Sequence, residues 1–149
     1  RQFKHKALSF QEFSTLLYCS AQGISADFLE PAGVLLNDWY LIVNAVEDLP
    51  SGSYVLHREG WSLELLKEGD FRSESGFLGL EQSLPADASA NVFFLADLKA
   101  ILKQLGNRGY RAAQLEAGIL GGKLYLTAYA QRLGATGLTR RYDVTPFAT

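Results

Sequence analysis

Few residues in this sequence have the types and spacing that enzyme chemistry requires. The two histidines, His5 and His57, lie in unrelated contexts, one in a basic N-terminal stretch and one in a predicted strand. No H-x-x-x-H or H-E-x-x-H motif occurs, and this disfavours a zinc hydrolase. The one cysteine, Cys19, lies in the helical stretch TLLYCSA, which favours a buried thiol over a reactive one and excludes an internal disulfide.

The glycine motifs that cradle phosphates or expose a nucleophile are also missing. The sequence has no G-x-S-x-G elbow, no G-x-x-x-x-G-K-[ST] phosphate loop and no G-x-G-x-x-G dinucleotide fingerprint. No pair of its carboxylates has a sequence spacing that is typical of a catalytic or metal-binding pair. Motifs alone therefore predict no catalytic residue and no metal ligand.

The composition is that of an ordinary globular domain. The 149 residues are 48% hydrophobic and 20% charged, and the formal net charge of −2 gives no basic field for nucleic acid. No apolar run approaches the roughly 20 residues that a membrane span needs, and no signal peptide is recognisable, so we expect a cytoplasmic protein. Because the chain begins at Arg1 and contains no methionine, we expect a processed or excised piece.

The elements that would position any site follow from apolar spacing and capping residues. Ser9 and Glu12 form an S-x-x-E capping box, and Asp97 precedes a short helix that ends at Gly106. The patterns predict helices at 9–22, 70–80, 98–105 and 107–133, buried strands at 39–46 and 91–96, a hairpin around Gly60, a loop at 85–90 and a short strand at 135–139. We therefore predict an α+β domain with helices on a mixed sheet.

The long helix that Asn107 would cap is the most unusual element. It is apolar on nearly every side, which is typical of a buried helix, yet it contains three glycines that each cost a helix about 0.5–1 kcal/mol. Gly118 and Gly122 share one stripe with Tyr125 close by, and small residues on a stripe let a second backbone approach. We favour a second subunit on this stripe; the alternative is close packing on the helix's own sheet.

Two long blocks resemble one family of flavoproteins. The segment 31–72 resembles a P-S-A-G loop, a strand and a V-x-x-L-P-x-G-x-Y hairpin, and residues 1–17 resemble an N-terminal arginine segment and first helix. The segment 106–139 resembles the R-x-Y-R, L-E-A-G and L-G-A pattern of the nitroreductase-like FMN superfamily, in its SagB-type dehydrogenase branch. The matching residues of this last segment are Arg108, Tyr110, Arg111, Leu115, Glu116, Ala117, Gly118, Leu124, Tyr125, Leu126, Ala128, Leu133, Gly134 and Ala135.

This resemblance covers essentially the whole chain and implies both a fold and a cofactor. The fold would be nitroreductase-like, a single domain over residues 1–149 with a mixed central sheet flanked by helices around a long buried helix, shortened at both ends. The activity would be an FMN-dependent oxidoreductase, a homodimer that transfers electrons from NAD(P)H or oxidises a bound small-molecule or peptide substrate. The flavins would lie between the subunits, and the implied FMN-binding residues are Arg1, Pro31, Ala32, Gly33, Thr139 and Arg140.

The sequence also departs from the family pattern. Glu30 and Pro31 stand where the family has proline and serine, so the serine hydroxyl that contacts the flavin is missing. Gln104 and Leu105 stand where the azoline-oxidising branch has a Lys-Tyr pair. The alternative hypothesis is therefore a family member without flavin, which serves as a dimerisation or docking domain.

Overall fold

Five helices and four strands make up the part of the chain that the computed structural model describes, which is residues 3, 6–27, 29 and 35–138. In chain order these elements are α1 (Phe10–Ser20), β1 (Asp38–Val43), β2 (Gly52–His57), β3 (Ser62–Glu68), α2 (Arg72–Leu78), α3 (Ser83–Asp87), β4 (Ala90–Leu95), α4 (Leu98–Leu105) and α5 (Arg108–Ala130).

The strands form one sheet in the order β3-β2-β1-β4. Every neighbouring pair is antiparallel, with Leu41 opposite Tyr54 on one side and opposite Val92 on the other. The sequence predicts a mixed sheet, because its strands are joined by both hairpin and crossover connections; the described strands are instead antiparallel throughout. As its nearly continuous apolar run predicts, β1 is covered on both faces.

The core lies mainly between the sheet and two helices. Trp39, Leu41 and Val43 of β1 point to one face, where they join Phe13 of α1 and Leu120 of α5 in a single buried cluster. The next residue of β1, Ile42, points to the other face and packs with Phe71 and Leu78 around α2. Alternation along the strand therefore places α1 and α5 on one face and α2 on the other.

The capping signals that the sequence contains are present in the structure. The Ser9 hydroxyl accepts the backbone N–H of Glu12 at 3.1 Å, and the Glu12 carboxylate accepts the backbone N–H of Ser9 at 2.8 Å. Asp97 accepts the N–H of Ala100 at 3.0 Å at the start of α4. Both predicted helix starts are confirmed, since each needs only residues within one turn.

Helix α5 differs from its prediction at both ends. Asn107 has helical backbone angles and its side chain makes no capping hydrogen bond. The helix ends at Ala130, three residues early, because Leu133 donates its N–H to the carbonyl of Ala128 and Arg132 adopts a positive φ of 59°. The described residues that follow, 135–138, form no strand, so the predicted third strand is wrong over that range.

Helix α5 is also not buried all round. Its inner face is covered, and Leu120 is fully buried. Its outer face is open: Leu115 is 57% exposed, Leu126 73% and Tyr129 83%. The single chain therefore buries one side of this helix and leaves open the side on which the sequence analysis expects a second subunit.

Two smaller predictions are also wrong. Cys19 is exposed, because it follows the exposed Tyr18 on the outer side of α1, while Leu17 and Ser20 face the core. The predicted loop at 85–90 contains part of helix α3, in which Pro85 occupies the first turn and costs no hydrogen bond.

Candidate functional site

An open cleft lies at the C-terminal end of α5. One cavity of about 440 Å³ is lined by residues from the N-terminal segment, α3, the last turns of α5 and the chain that follows, namely Phe3, Leu84, Tyr125, Tyr129, Leu133, Gly134, Ala135 and Thr136. A second cavity, of about 620 Å³, adjoins it and shares Tyr129, Leu133 and Gly134. We call the two cavities together the α5 cleft.

The wall of the α5 cleft is held by one tyrosine. After Arg132 the chain turns back along the outside of α5, and the Tyr125 hydroxyl accepts the backbone N–H of Gly137. The ring of Phe3 lies against Gly134, where an added Cβ would be 3.5 Å from it. The N-terminal segment and the segment 133–138 therefore meet at one end of the helix.

The chemistry of the cleft is that of a flat, largely apolar site with backbone donors. Phe3, Tyr125 and Tyr129 supply aromatic surface, and the N–H groups of Gly134, Ala135 and Thr136 make no hydrogen bond to another described residue. Aromatic walls with a few convergent polar groups are typical of sites for flat ligands.

The titrating groups with shifted pKa values lie elsewhere in the described structure. A backbone N–H donated by Ser9 lowers the pKa of Glu12, and burial raises the pKa of Tyr54, with a smaller contribution from Glu68. Glu12 belongs to a helix cap and Tyr54 to the sheet. The described part of the α5 cleft offers aromatic surface and backbone donors for binding a ligand.

A second cluster of polar contacts lies in the N-terminal half of α5. Glu116 is fully buried, and its carboxylate accepts the backbone N–H groups of Leu36 and Asn37 and the Nδ2 of Asn37, at 2.8–2.9 Å. Leu36 and Asn37 lie three and four residues after Gly33, the last residue of the P-S-A-G-like loop. Since α5 rises 1.5 Å per residue, Glu116 lies about 20 Å from Tyr129 along the helix.

The exposed face of α5 runs from the turn that contains Glu116 to the α5 cleft. It carries a stripe of apolar and small residues with steps of three or four, which we call the α5 stripe: Leu115, Gly118, Ile119, Gly122, Tyr125, Leu126 and Tyr129. A Cβ added at Gly118 or Gly122 would meet nothing within 4 Å. Close packing on the helix's own sheet, the alternative for these glycines, is therefore excluded among the described residues.

Comparison with solved structures identifies the fold. A protein of Anabaena variabilis classed as a nitroreductase superposes on 93% of this chain with a TM-score of 0.84 and 31% sequence identity. This chain has the nitroreductase-like fold. It covers only 30% of the length of that relative.

Two more distant structures share the nitroreductase-like fold. One is a chain of the E. coli microcin synthetase McbBCD complex with truncated pro-MccB17 bound, with a TM-score of 0.70 and 19% identity over 90% of this chain and 55% of that one. The other is a Ralstonia eutropha protein classed as a nitroreductase, with a TM-score of 0.63 and 22% identity over 88% of this chain and 60% of that one. No protein-family model and no curated protein matches the sequence.

The six residues that the resemblance implies for FMN all lie outside the described residues of this nitroreductase-like chain. They are Arg1, Pro31, Ala32, Gly33, Thr139 and Arg140. Their described neighbours fall into two groups. Phe3 and Leu138 lie near the α5 cleft, whereas Leu36 lies at Glu116.

Several described residues of the site were not predicted. Phe3, Tyr129 and the segment 134–136 line the cleft, and Glu116 anchors Leu36 and Asn37. The sequence does contain a signal for Glu116, because it is the only acidic residue in the largely apolar helix α5. Its partners lie about 80 residues away in sequence, so no local pattern identifies them.

No described helix is both long enough and apolar enough to cross a membrane. The described residues also contain no group of three or more His, Cys, Asp and Glu side chains arranged to hold a metal ion.

Proposed function

We propose that this chain is the FMN-binding domain of an oxidoreductase of the SagB-type branch, and that the flavin ring binds in the α5 cleft. The observation that carries the proposal is the meeting of Phe3, Tyr125 and the segment 134–136 at one end of α5. The described residues fit the ring, because aromatic side chains offer it a flat apolar wall and backbone N–H groups without a partner among the described residues line the same cleft.

The phosphate would be held by residues at the chain ends. Arg1 lies two residues before Phe3, and Thr139 and Arg140 follow Leu138, so both segments start from the wall of the cleft. Guanidinium groups and backbone N–H groups are the usual phosphate ligands. Pro31, Ala32 and Gly33 would approach the flavin through their backbone.

The distance along α5 favours a site shared between two copies. A loop that is anchored at Glu116 and a cleft at Tyr129 lie about 20 Å apart in one chain, so one flavin ring does not span both. In the α5 stripe, Leu115 and Tyr129 lie seven residues to either side of Gly122. An antiparallel second copy centred on Gly122 would place each Leu115 opposite the partner copy's Tyr129, and each loop would reach the other copy's cleft.

Such a homodimer also gives the glycines a role. Gly118 and Gly122 leave open space on an otherwise apolar surface, and a second helix could approach there closely. The same contact would bury Leu126 and Tyr129, which are exposed to water in the single chain.

When bound, FMN would supply the electron transfer, and the described residues would orient its ring and exclude water. We propose that electrons come from NAD(P)H and pass to a second substrate in turn. Azoline oxidation is not part of the proposal, because Gln104 and Leu105 stand in place of the Lys-Tyr pair on α4.

The absorption spectrum of the purified protein tests the proposal. We expect the bands of oxidised flavin, at close to one FMN per chain after addition of FMN and gel filtration. A protein that remains colourless after this treatment would contradict the proposal. If such a protein were still a dimer by light scattering, the docking-domain alternative would replace it.

A further inference from the structure

Four cations lie on the corner of the molecule where α4 meets α5. Lys99 and Lys103 are one turn apart on α4, and Arg108 and Arg111 are one turn apart at the start of α5. All four side chains are exposed, and none makes a hydrogen bond or an ion pair with another described residue. We call these four residues the basic corner.

The contact between the two helices brings the two pairs of cations together. A Cβ added at Gly109 would be 2.7 Å from Cγ2 of Ile101, so α5 begins directly against the middle of α4. Ile101 lies between the two lysines in sequence, and Gly109 lies between the two arginines. Because α4 is only about 12 Å long, the four positive charges occupy a region of roughly 20 Å.

The charge of the basic corner is opposite to that of the protein as a whole. No acidic residue lies between residues 98 and 115, whereas the formal net charge of the chain is −2. Of the acids nearest in sequence, Asp97 accepts a backbone N–H at the start of α4, and Glu116 is fully buried. The sheet also brings Asp38 opposite Leu95, which ends β4 just before α4. Four cations against two exposed acids leave this corner positive.

Exposed apolar side chains lie beside these cations. Leu98 is 38% exposed and Leu102 39%, and at the start of α5 the Tyr110 side chain is half exposed. A small anion such as phosphate would neutralise the cations and leave these apolar groups in water. A ligand that carries both carboxylates and apolar side chains matches the whole surface.

The charge of the remaining chain decides between the classes of anionic partner. Outside the basic corner the chain has more acidic than basic residues. Double-stranded DNA and an anionic membrane extend beyond the corner, so the rest of the protein would repel them over the distance at which charges act, about 8–10 Å. A short acidic segment of a protein would contact the corner alone.

We propose that the basic corner is a docking surface for an acidic peptide segment of another protein, with leucines or similar apolar residues among its carboxylates. The carboxylates pair with the four cations, and the apolar side chains cover Leu98 and Leu102. Arg111 lies about 27 Å from Tyr129 along α5, so in one chain this surface is separate from the α5 cleft. The proposal therefore does not depend on FMN binding.

The test is the binding of a synthetic peptide, a repeat of Glu-Leu-Glu-Glu-Leu with a fluorescent label, to the intact protein. Fluorescence anisotropy should show saturable binding that weakens several-fold when the salt concentration rises from about 50 to about 300 mM, because exposed charges are screened. Lys99→Glu combined with Lys103→Glu should raise the Kd about tenfold, since two attractive contacts become repulsive. A peptide with serine in place of leucine should also bind more weakly, although its charge is the same.

Lys6→Glu combined with Lys67→Glu is the matched control. It changes the net charge by the same amount at two exposed positions outside α4 and α5. We expect its Kd to differ from that of the wild type by less than about twofold. Arg108→Gln combined with Arg111→Gln replaces the first variant if circular dichroism shows that the glutamates disturb α4, and it should raise the Kd about threefold.

Three outcomes would overturn the proposal. The first is a wild-type protein that does not bind the peptide saturably. The second is an equal loss of affinity in the control variant, which would mean that only the overall charge attracts the peptide. The third is tighter binding of double-stranded DNA or of phosphatidylserine vesicles than of the peptide, which would assign the basic corner to another class of partner.

Discussion

At the scale of single residues, two tyrosines show how similar hydroxyl groups serve different purposes. Tyr54 lies in the sheet, is buried, and donates to the carbonyl of Pro50 at 2.6 Å. Tyr125 is half exposed and accepts the N–H of Gly137, the contact that holds the wall of the α5 cleft. Loss of the first hydroxyl should affect stability, and loss of the second should affect the site.

We expect Tyr54→Phe to lower the free energy of unfolding by about 1 kcal/mol at neutral pH, since the Pro50 carbonyl loses its donor. The pH dependence should change as well. Because burial raises the folded pKa of Tyr54 above the ordinary value of a tyrosine, about 10, its neutral form stabilises the fold below about pH 10, and this contribution is lost as the pH rises through the folded pKa. Urea unfolding at several alkaline pH values should show a steeper loss for the wild type than for the variant.

We expect Tyr125→Phe to weaken FMN binding about three- to tenfold, because the segment 134–138 loses its tie to α5. Tyr129→Phe is the control: Tyr129 also lines the cleft, but its hydroxyl has no hydrogen-bond partner among the described residues. Fluorescence titration with FMN would measure both. Equal Kd values for the two variants would show that the Gly137 contact does not shape the site.

At the scale of elements, α5 carries glycines of two kinds. Gly109 lies where α4 and α5 meet, and a Cβ there would be 2.7 Å from Cγ2 of Ile101 and 3.0 Å from its carbonyl oxygen. Gly118, Gly121 and Gly122 have no atom within 4 Å of such a Cβ. The first is required by the fold of one chain, whereas the others are not.

We expect Gly109→Ala to destabilise the protein by about 1–3 kcal/mol, because Ile101 and the backbone of α4 must shift. Gly121→Ala, at the edge of the α5 stripe, should instead stabilise it by about 0.5–1 kcal/mol through helix propensity. Urea unfolding at matched protein concentration would compare them. A destabilising Gly121→Ala would indicate a close neighbour outside the described residues of one chain.

We expect Gly122→Leu to convert the proposed dimer into a monomer that remains folded, since the added side chain occupies the centre of the α5 stripe, where a Cβ meets no atom of the described residues within 4 Å. Light scattering and circular dichroism would test this. Gly60→Leu at the turn of the β2–β3 hairpin is the control, because a Cβ there meets nothing closer than 3.8 Å. If the Gly122→Leu protein stayed dimeric, the interface would not include the centre of the α5 stripe.

At the scale of the whole molecule, the proposed site divides between two separate parts of α5. Glu116 anchors Leu36 and Asn37 in the N-terminal half of the helix, and the cleft lies at its C-terminal end, about 20 Å away. A site made within one chain and a site shared by two copies make different predictions for mixed dimers.

We expect a loop variant and a cleft variant to complement each other. Glu116→Gln and Ala135→Trp, which fills the cleft, should each bind FMN poorly as homodimers. After the two are unfolded together and refolded at equal amounts, half of the dimers should be mixed, each with one intact loop facing one intact cleft, so that about a quarter of the sites bind FMN. No recovery of binding in the mixture would favour a site within one chain.

The sequence by itself determined the elements whose signals are local. The capping box at Ser9, the N-cap at Asp97 and the apolar runs of β1 and β4 need only neighbouring residues, and all four elements form where they were predicted, within a few residues. The resemblance of the α5 segment to the nitroreductase-like superfamily is confirmed by the superposition, because that segment combines many specific residues in one element.

Only the tertiary structure decided which groups meet across long stretches of chain. Glu116 accepts a hydrogen bond from the backbone N–H of Leu36, 80 residues away, and Phe3 lies against Gly134. Neither contact can be recognised from a periodic pattern in the sequence. It also decided that the sheet is antiparallel and that the outer face of α5 is open. The physical reason is the same in each case: caps and apolar periods are set by energies within one turn or strand, whereas burial and hydrogen-bond partners depend on which elements the whole chain brings together.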